Sequence, residues 1–220
     1  MSATLKWAGY GLIAAVLALG AYQSWRVGEA RAVTRDRIDA IIATADPGLK
    51  ALPGAWIDAM IRIEDPTFRT NDGIDLSSPG AGWTTITQGL AKRIYFDSYT
   101  PGVEKLELML IARFALTGLA TKDEILTAFL AAAYLGHKDG EAVIGFPAGA
   151  RAWFGKEITA LTEREFLTLV ALLPAPNGLH PIRNPQGLAD RVARIERLLA
   201  GSCVPAGWRD TDLEGCAAAG

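Results

Sequence analysis

Three marked helix starts constrain the fold of this chain more than any other feature. The quartets TKDE (121–124) and TERE (162–165) each place a threonine three residues before a glutamate. This is the spacing of a capping box, in which the two side chains satisfy backbone N–H groups that the first helical turn leaves free. Asn184-Pro185 adds an N-cap residue followed by proline at the first helical position. These signals predict three helices, over about 122–135, 163–173 and 185–200.

The rest of the chain also has the pattern of helices. Strand-like alternation is scarce, whereas helical periodicity covers three further segments, 53–63, 84–96 and 103–119. Half of the residues are hydrophobic, so the chain can bury a sizeable core. We therefore predict an all-α, mainly helical domain over 53–201. Residues 26–52 are interpreted as a stalk that leads into this domain, and residues 202–220 as a tail.

Residues 7–22, WAGYGLIAAVLALGAY, form an uncharged run near the start of the chain. Trp7 and Trp25 lie 18 residues apart, which is about 27 Å along a helix and close to the roughly 30 Å of a hydrocarbon core. Aromatic residues at both ends are typical of a membrane interface. We therefore expect a transmembrane anchor over 1–25. A signal peptide cleaved near Ala18-Leu19-Gly20 and a buried core helix are the alternative interpretations.

The two cysteines, Cys203 and Cys216, both lie in the tail. The segment between them contains proline and glycine, which suits a disulfide in an oxidising compartment. Two unrelated thiols are the alternative.

Two classes of site have little support. The net charge is −2 with both signs mixed along the chain, which does not favour nucleic-acid binding. His137 and His180 are far apart in sequence and no CxxC spacing occurs, so a protein metal site is not expected. Both histidines are interpreted as structural or surface residues.

Glu64 is the first candidate for catalysis. It shares a helix face with Ile57 and Ile61 by i+3 and i+4 spacing, so it extends an apolar stripe. A partly desolvated carboxylate has a raised pKa, which suits proton transfer near neutral pH. Pro66 disfavours helical geometry in the residue before it, so Glu64 stands at a helix end. A helix-end acid with its carboxylate in water is the simpler interpretation of the spacing alone.

The segment EDPTFRTNDGID (64–75) resembles the first signature of the peptidoglycan glycosyltransferases, glycosyltransferase family 51, which reads E-D-x-x-F-x-x-H-x-G-[IVF]-D. Asn71 stands where the family has histidine. The positions that match are Glu64, Asp65, Phe68, Gly73, Ile74 and Asp75.

A second signature, G-[GA]-S-T-I-T-Q-Q-x-[AV]-K-N, is similar to GWTTITQGLAKR (82–93). Its matching positions are Gly82, Thr85, Ile86, Thr87, Gln88, Ala91 and Lys92. Its departures are Trp83, Thr84, Gly89 and Arg93.

Three more family blocks follow in the family's order, at 121–136, 145–156 and 161–181. The resemblance thus runs from about residue 55 to 200, and five blocks in order are specific where one block is weak. The chain is identified as a divergent member of the family. No S-x-x-K or K-T-G set of a penicillin-binding domain occurs, so we expect the monofunctional biosynthetic type.

The resemblance implies a lysozyme-like fold with two helical lobes around a cleft. It implies polymerisation of lipid II at the outer face of the bacterial inner membrane, with a single-pass anchor and a periplasmic catalytic domain. The acceptor 4-hydroxyl attacks C1 of the growing chain, undecaprenyl pyrophosphate leaves, and the configuration inverts. The implied partners are lipid II, the nascent glycan, the inner membrane and other cell-wall synthesis proteins. No tightly bound cofactor is implied, although Mg²⁺ or Mn²⁺ can accompany the pyrophosphate.

The resemblance also assigns roles to residues. Glu64 occupies the position of the general base, and Lys92 the position of a cation for the pyrophosphate. A solvated helix lysine is the alternative for Lys92, and ordinary helix-start residues are the alternative for the threonine and glutamine set. The remaining residues expected to bind substrate are Asp65, Phe68, Gly73, Thr85, Thr87 and Gln88.

The family's second glutamate is harder to place. It follows R-K-x-x, the segment here offers Glu104 and Glu107, and Glu107 fits only with a two-residue insertion before Thr121. Glu107 shares a helix face with Leu110 and Phe114, which suits an inward position, and an ordinary helix acid is the alternative. We expect Glu107 to be the second catalytic carboxylate.

Other departures from the family keep a second function open. Ala131 replaces the usual asparagine, and only LSSPGA (76–81) stands where the family has about twenty residues. A non-catalytic relative that binds lipid II or glycan as a scaffold is therefore the alternative function. A lysozyme-like enzyme that cleaves glycan is a third hypothesis, which the family motifs disfavour.

Overall fold

Helices dominate the computed structural model, which describes residues 3–217, and the prediction of a mainly helical domain is confirmed. A π-helical turn at Ala112–Leu116 joins α4 to the short α5, so the predicted helix over 103–119 is continuous. The helices are α1 Ala3–Thr44, α2 Gly54–Glu64, α3 Ile86–Tyr95, α4 Val103–Ile111, α5 Thr117–Leu119, α6 Lys122–Ala132, α7 Phe146–Phe154, α8 Glu163–Leu172 and α9 Pro185–Leu199.

The predicted helix starts form as expected. At the start of α6, Thr121 Oγ1 accepts from the backbone N–H of Glu124 while the Glu124 carboxylate accepts from the N–H of Thr121. Thr162 and Glu165 make the same reciprocal pair before α8. Asn184 accepts from the N–H of Gly187 and starts α9. Local hydrogen bonding therefore fixes these boundaries.

A β-hairpin after α6 was not predicted. Strand β1 (Tyr134–Lys138) pairs antiparallel with β2 (Glu141–Ile144). Asp139-Gly140 forms the turn with positive φ angles of 53° and 87°, the dipeptide that two-residue hairpin turns favour. The predicted helix over 122–135 therefore ends at Ala132, because the hairpin competes for the residues that follow.

The second half of α1 is part of the domain. Ala30, Thr34 and Ile38 are buried at intervals of four residues, so one face of α1 packs against α4 and α6. Thr34 Oγ1 also lies 2.7 Å from the hydroxyl of Tyr95. Residues 26–52, which were expected to form a stalk, thus include the packed second half of α1 and a 3₁₀ turn at Pro47–Ala51.

The first half of α1 differs from both expected forms. The side chains of residues 6–22 are exposed, so they are not a buried core helix. Over the part of the chain whose side chains are described, no helix is long and apolar enough to cross a membrane. The transmembrane anchor expected over 1–25 is therefore not supported. Residues 1 and 2 lie outside the described residues.

The helices pack in two groups that share one hydrophobic core. One group contains α1, α3, α4 and α6, and the other contains α2, α7, α8 and α9 with the hairpin beside them. Phe166 of α8 lies at the centre of the second group, with ring centroids 5.5 Å from both Trp56 and Phe146. This arrangement is consistent with the expected lysozyme-like architecture and leaves a cleft where the groups face each other.

The tail folds back onto α9. Cys203 and Cys216 form the predicted disulfide, with a sequence separation of 13. Arg197 Nε donates to the carbonyl of Cys216 at 2.6 Å, and Leu213 is buried. The tail is therefore an ordered part of the domain up to residue 217.

Candidate active site

The cleft between the two helix groups has a volume of about 510 Å³, within the usual range for small-molecule sites. Its walls come from the end of α2, the loop 80–85, the length of α3, the loop after α8, and Arg191 of α9. Polar and apolar residues both line it, which is expected for a site that binds a sugar or another amphipathic ligand.

Glu64 is the last residue of α2 and lines the cleft, as its position on the apolar face predicts. It is partly buried. Burial raises its pKa to about 7, the charge of Arg191 opposes this rise, and the charge of Asp65 adds to it. A carboxylate with this pKa can accept and release a proton near neutral pH.

Asp65 has a different task from its neighbour. Only 1% of it is exposed. Its carboxylate accepts from the backbone N–H of Ile86 at 3.0 Å and from Asn71 Nδ2 at 2.7 Å. Burial raises its pKa to about 6 against the effect of these hydrogen bonds and of Lys122. Asp65 therefore ties the end of α2 to the start of α3, and does not line the cleft.

Most of the residues expected to bind substrate instead support the start of α3. Thr85 is the N-cap and lines the cleft, but its hydroxyl donates to the carbonyl of Gly73 at 2.9 Å. Gln88 Nε2 donates to the same carbonyl at 3.0 Å, and Gln88 is fully buried. Gly73 has φ +92°, and a Cβ there would lie 3.0 Å from the backbone of Ala112. The carbonyl of Gly73 is thus an acceptor that fixes α3.

Two further residues that were expected to bind substrate are buried and do not line the cleft. Phe68 is 0% exposed and belongs to the core, where Lys122 Nζ lies 4.7 Å from its ring centroid. Thr87 is also fully buried, with a hydroxyl that has no hydrogen-bond partner. Their side chains face away from the cleft because they lie on the inner face of the loop and of α3. Their effect on a bound substrate is through packing.

Two lysines lie at one side of the cleft. Lys92 lines it, with Nζ 4.8 Å from the ring centroid of Tyr99, and burial lowers its pKa. Lys105 of α4 donates to Gln88 Oε1 and to the carbonyl of Trp83, both at 2.6 Å. Burial and the charge of Lys92 lower the pKa of Lys105 to about 8. Two neighbouring cations favour an anionic group in the cleft.

Sequence reasoning missed Lys105 and Arg191. Lys105 precedes Glu107 by two residues, whereas the family's lysine precedes its glutamate by three, so the motif did not identify Lys105. Arg191 gave no signal beyond its place in a helix. It is 4% exposed and lines the cleft, where Nε donates to the carbonyl of Ala171 at 3.1 Å and Nη1 to that of Thr211 at 2.6 Å.

Glu107 is not a cleft residue. It is 5% exposed and forms a salt bridge of 2.9 Å with Arg26 of α1. The face of α4 that carries Glu107 packs on α1, so the Glu107 carboxylate is paired with Arg26 of that helix. The expectation that Glu107 is a second catalytic carboxylate is therefore not supported.

The residues do not form a metal site. Over the described part of the chain, no group of three or more histidine, cysteine, aspartate or glutamate side chains converges so that it could hold an ion. The carboxylates that line the cleft are Glu64 and the exposed Asp97. Such a pair does not fit a protein-held divalent cation, which prefers several oxygen ligands.

Comparison with known proteins shows the family to which the chain is similar. A family model described as Transglycosylase matches residues 43–200. A protein of Cupriavidus necator named as a transglycosylase is 32% identical over 161 residues, which cover 67% of this chain and 68% of the relative. Penicillin-binding protein 1A of Vibrio cholerae is 31% identical over 156 residues, 65% of this chain and 18% of the relative. Penicillin-binding protein 1A of Escherichia coli is 30% identical over 165 residues, 69% of this chain and 19% of the relative. The chain thus spans about a fifth of the length of these penicillin-binding relatives.

Proposed function

This chain belongs to the transglycosylase family, and from that premise we propose that it is a peptidoglycan glycosyltransferase that polymerises lipid II into glycan strands. The observation that supports the proposal is that one cleft is lined both by Glu64, whose pKa is near neutral, and by the cation Lys92. Glycosyl transfer from a pyrophosphate needs both, a base for the acceptor and positive charge for the leaving group.

In this proposal Glu64 is the general base. Its unprotonated carboxylate accepts the proton of the acceptor 4-hydroxyl while the oxygen forms a bond to C1 of the donor sugar. The bond between C1 and the pyrophosphate oxygen breaks, and its electron pair leaves with undecaprenyl pyrophosphate. Attack opposite the leaving group inverts the configuration at C1. The partial burial of Glu64 keeps its carboxylate basic enough for this step near neutral pH.

The leaving pyrophosphate meets Lys92 first. Lys92 is the lysine that lines the cleft, and Lys105 stands behind it with its ammonium already bonded to Gln88 Oε1 and to the Trp83 carbonyl. Fixed positive charge in a partly desolvated site stabilises developing negative charge without reorganisation. Lys92 therefore contacts the phosphate, and Lys105 adds to the local positive potential.

A divalent cation would be bound by the substrate and not by protein side chains in this proposal. Mg²⁺ or Mn²⁺ would arrive with the pyrophosphate, whose oxygens would supply its ligands, since the cleft carboxylates do not form a cation site. Its contribution would be to neutralise phosphate charge.

Membrane contact is a further part of the proposal, because lipid II is held in a bilayer. The first half of α1 exposes a dense set of large apolar side chains, and exposed patches of this kind mark membrane or protein contacts. They are Trp7, Tyr10, Leu12, Ile13, Val16, Leu17, Leu19, Tyr22 and Trp25. Co-sedimentation of full-length protein with phospholipid vesicles tests the contact, with Leu17→Asp expected to weaken it.

One observation favours a second candidate function. With Glu107 paired to Arg26, the cleft has no second buried carboxylate among its described lining residues. A relative that binds lipid II or glycan without extending it, as part of a cell-wall synthesis complex, would need no such group.

Polymerisation of labelled lipid II by full-length protein in detergent, beside Glu64→Gln, distinguishes the two functions. Polymer from the wild type and not from the variant supports the enzyme and the base. If neither protein makes polymer although both bind lipid II, the enzyme proposal is wrong and the binding function is favoured. Polymer from both would remove Glu64 from the role of base.

A further inference from the structure

The tail closes against the loop that precedes α3. The backbone N–H of Gly80 donates to the carbonyl of Gly207 at 2.9 Å, and that of Gly82 to the carbonyl of Trp208 at 3.0 Å. Both glycines have positive φ, and a Cβ at Gly82 would lie 2.7 Å from Thr211. A Cβ at Gly80 would likewise lie 2.8 Å from the Pro205 side chain, so glycine at both positions suits the positive φ and leaves room for side chains of the tail. The contact involves residues beyond 200, where the family match ends.

The tail is also held from the side of α9. Arg191 Nη1 donates to the carbonyl of Thr211 at 2.6 Å, and Arg194 Nη1 donates to that of Asp212 at 2.9 Å. Thr211 lines the cleft together with Arg191. Through Thr211, the tail therefore contributes to the lining of the cleft that contains Glu64.

Two tryptophans meet where the tail joins the loop. Trp83 and Trp208 stack with ring centroids 5.0 Å apart and planes inclined by 2°. The Arg209 guanidinium lies 4.5 Å from the Trp208 ring centroid, and Lys105 holds the carbonyl of Trp83. Trp83 is nevertheless 48% exposed and lines the cleft. A large flat side chain is thus held in one orientation with much of its surface open.

Such an indole matches one class of ligand in this setting. A pyranose ring has an apolar C–H face and a polar rim, so it gains by covering a flat aromatic surface while its hydroxyls stay hydrated. The residues that precede and follow Trp83 in the sequence, Gly82 and Thr84, are small or polar and also line the cleft. A fixed side chain also loses little conformational freedom when a ligand binds.

We infer that Trp83, held in place by Trp208 of the tail, is a stacking platform for a sugar ring of the glycan substrate. This inference rests on the proposed function for the class of ligand. It assigns the tail a part in substrate binding that the matched family region does not contain.

The test measures binding of lipid-free β-1,4-linked N-acetylglucosamine–N-acetylmuramic acid strands to full-length protein by calorimetry. Trp83→Tyr keeps a flat ring, whereas Trp83→Leu keeps an apolar side chain without one. We expect Trp83→Leu to raise the dissociation constant about tenfold and Trp83→Tyr to retain most of the affinity. Phe114→Leu, which removes an exposed aromatic ring outside the cleft, should bind as the wild type does.

Trp208→Leu is the second variant, because it leaves Trp83 in the chain and removes its support. It should weaken glycan binding less than Trp83→Leu does, and Trp208→Phe should restore it. Equal affinities of the wild type, Trp83→Leu and Trp208→Leu would overturn the platform. Unchanged glycan binding by Trp83→Leu with weaker binding of undecaprenyl pyrophosphate would assign the indole to the lipid and would also overturn it.

The outcome for the platform can be separated from that for the enzyme. If the wild type makes no polymer and the Trp83→Leu variant binds glycan more weakly than the wild type, the enzyme proposal fails and the platform stands. If polymer forms and Trp83→Leu changes neither glycan binding nor KM for lipid II, the platform fails alone.

Discussion

The buried carboxylate of Asp65 accepts a hydrogen bond from the backbone N–H of Ile86, with 3.0 Å between oxygen and nitrogen. This bond joins the last turn of α2 to the first residue of α3. Because Glu64 belongs to α2 and Lys92 to α3, it sets the spacing between the proposed base and the proposed phosphate contact.

Asp65→Ala should lower stability and turnover together. The substitution leaves the Ile86 N–H without its acceptor and removes one of the two acceptors of Asn71 Nδ2, and an unpaired buried donor costs about 1–3 kcal/mol. Denaturant midpoints and kcat measure the two effects. Asp39→Ala removes an exposed carboxylate paired with Arg35 and is the control, with an expected change within about 0.5 kcal/mol. Equal midpoints for the two variants would contradict the role of Asp65.

The pH dependence of turnover follows from the pKa of Glu64, which is about 7. A general base acts only when it is unprotonated, so kcat/KM for lipid II should rise about tenfold per pH unit below this value and level off above it, before it falls above about pH 8, where Lys105 loses its charge. Initial rates between about pH 5 and 9 measure the profile. A profile without a rise near pH 7 would exclude a base with this pKa.

The same pKa predicts the pH dependence of stability. The pKa of Glu64 is raised from 4.5 in the unfolded chain to about 7 in the folded one, so the folded state binds the proton more tightly. Stability from this group is therefore present below about pH 4.5 and is lost as the pH rises through about 7. Glu64→Gln keeps a neutral side chain at every pH. Its free energy of unfolding, relative to the wild type, should increase between pH 4.5 and 7 and stay constant above.

Arg191 should control the midpoint of the pH profile. Its charge lowers the pKa of Glu64, so Arg191→Met should shift the midpoint of kcat/KM to higher pH. Arg194→Met is the matched control, because Arg194 also bonds the tail through the Asp212 carbonyl but does not contribute to the shift at Glu64. Equal shifts in both variants would mean that the lost contact with the tail, and not the lost charge, moves the midpoint of the pH profile.

The parts of this structure that were predictable depend on local interactions. The capping boxes at Thr121 and Thr162 act within three residues, and the apolar face that carries Glu64 repeats every turn, so both could be identified in the sequence. The disulfide followed from the count of two cysteines.

The parts that were missed depend on contacts between distant residues. Glu107 meets Arg26 81 positions away, and nothing near Glu107 in the sequence distinguishes this pair from a catalytic position. The stack of Trp83 on Trp208 likewise requires the tail to return to the cleft. The hairpin was an avoidable error, since Asp139-Gly140 is a turn signal.

Lys92→Met should lower kcat far more than it raises KM, because the phosphate contact strengthens as the bond to C1 breaks. Loss of one preformed charge contact in an active site costs about a hundredfold in kcat. Lys50→Met removes an exposed lysine outside the cleft and should leave both constants unchanged. A rise in KM alone for Lys92→Met would place the lysine in ground-state binding.

The disulfide should stabilise both the fold and the tryptophan platform. Cys203 and Cys216 close a loop with a sequence separation of 13, and the chain-entropy model gives about 3 kcal/mol for loops of this size. The Cys203→Ala/Cys216→Ala double variant should therefore unfold at lower denaturant concentration, and so should wild-type protein in reductant. Glycan binding should weaken in the double variant as well, because Trp208 belongs to the closed loop. Lower stability with unchanged glycan affinity would mean that the backbone bonds of Gly80 and Gly82 hold the tryptophans without the disulfide.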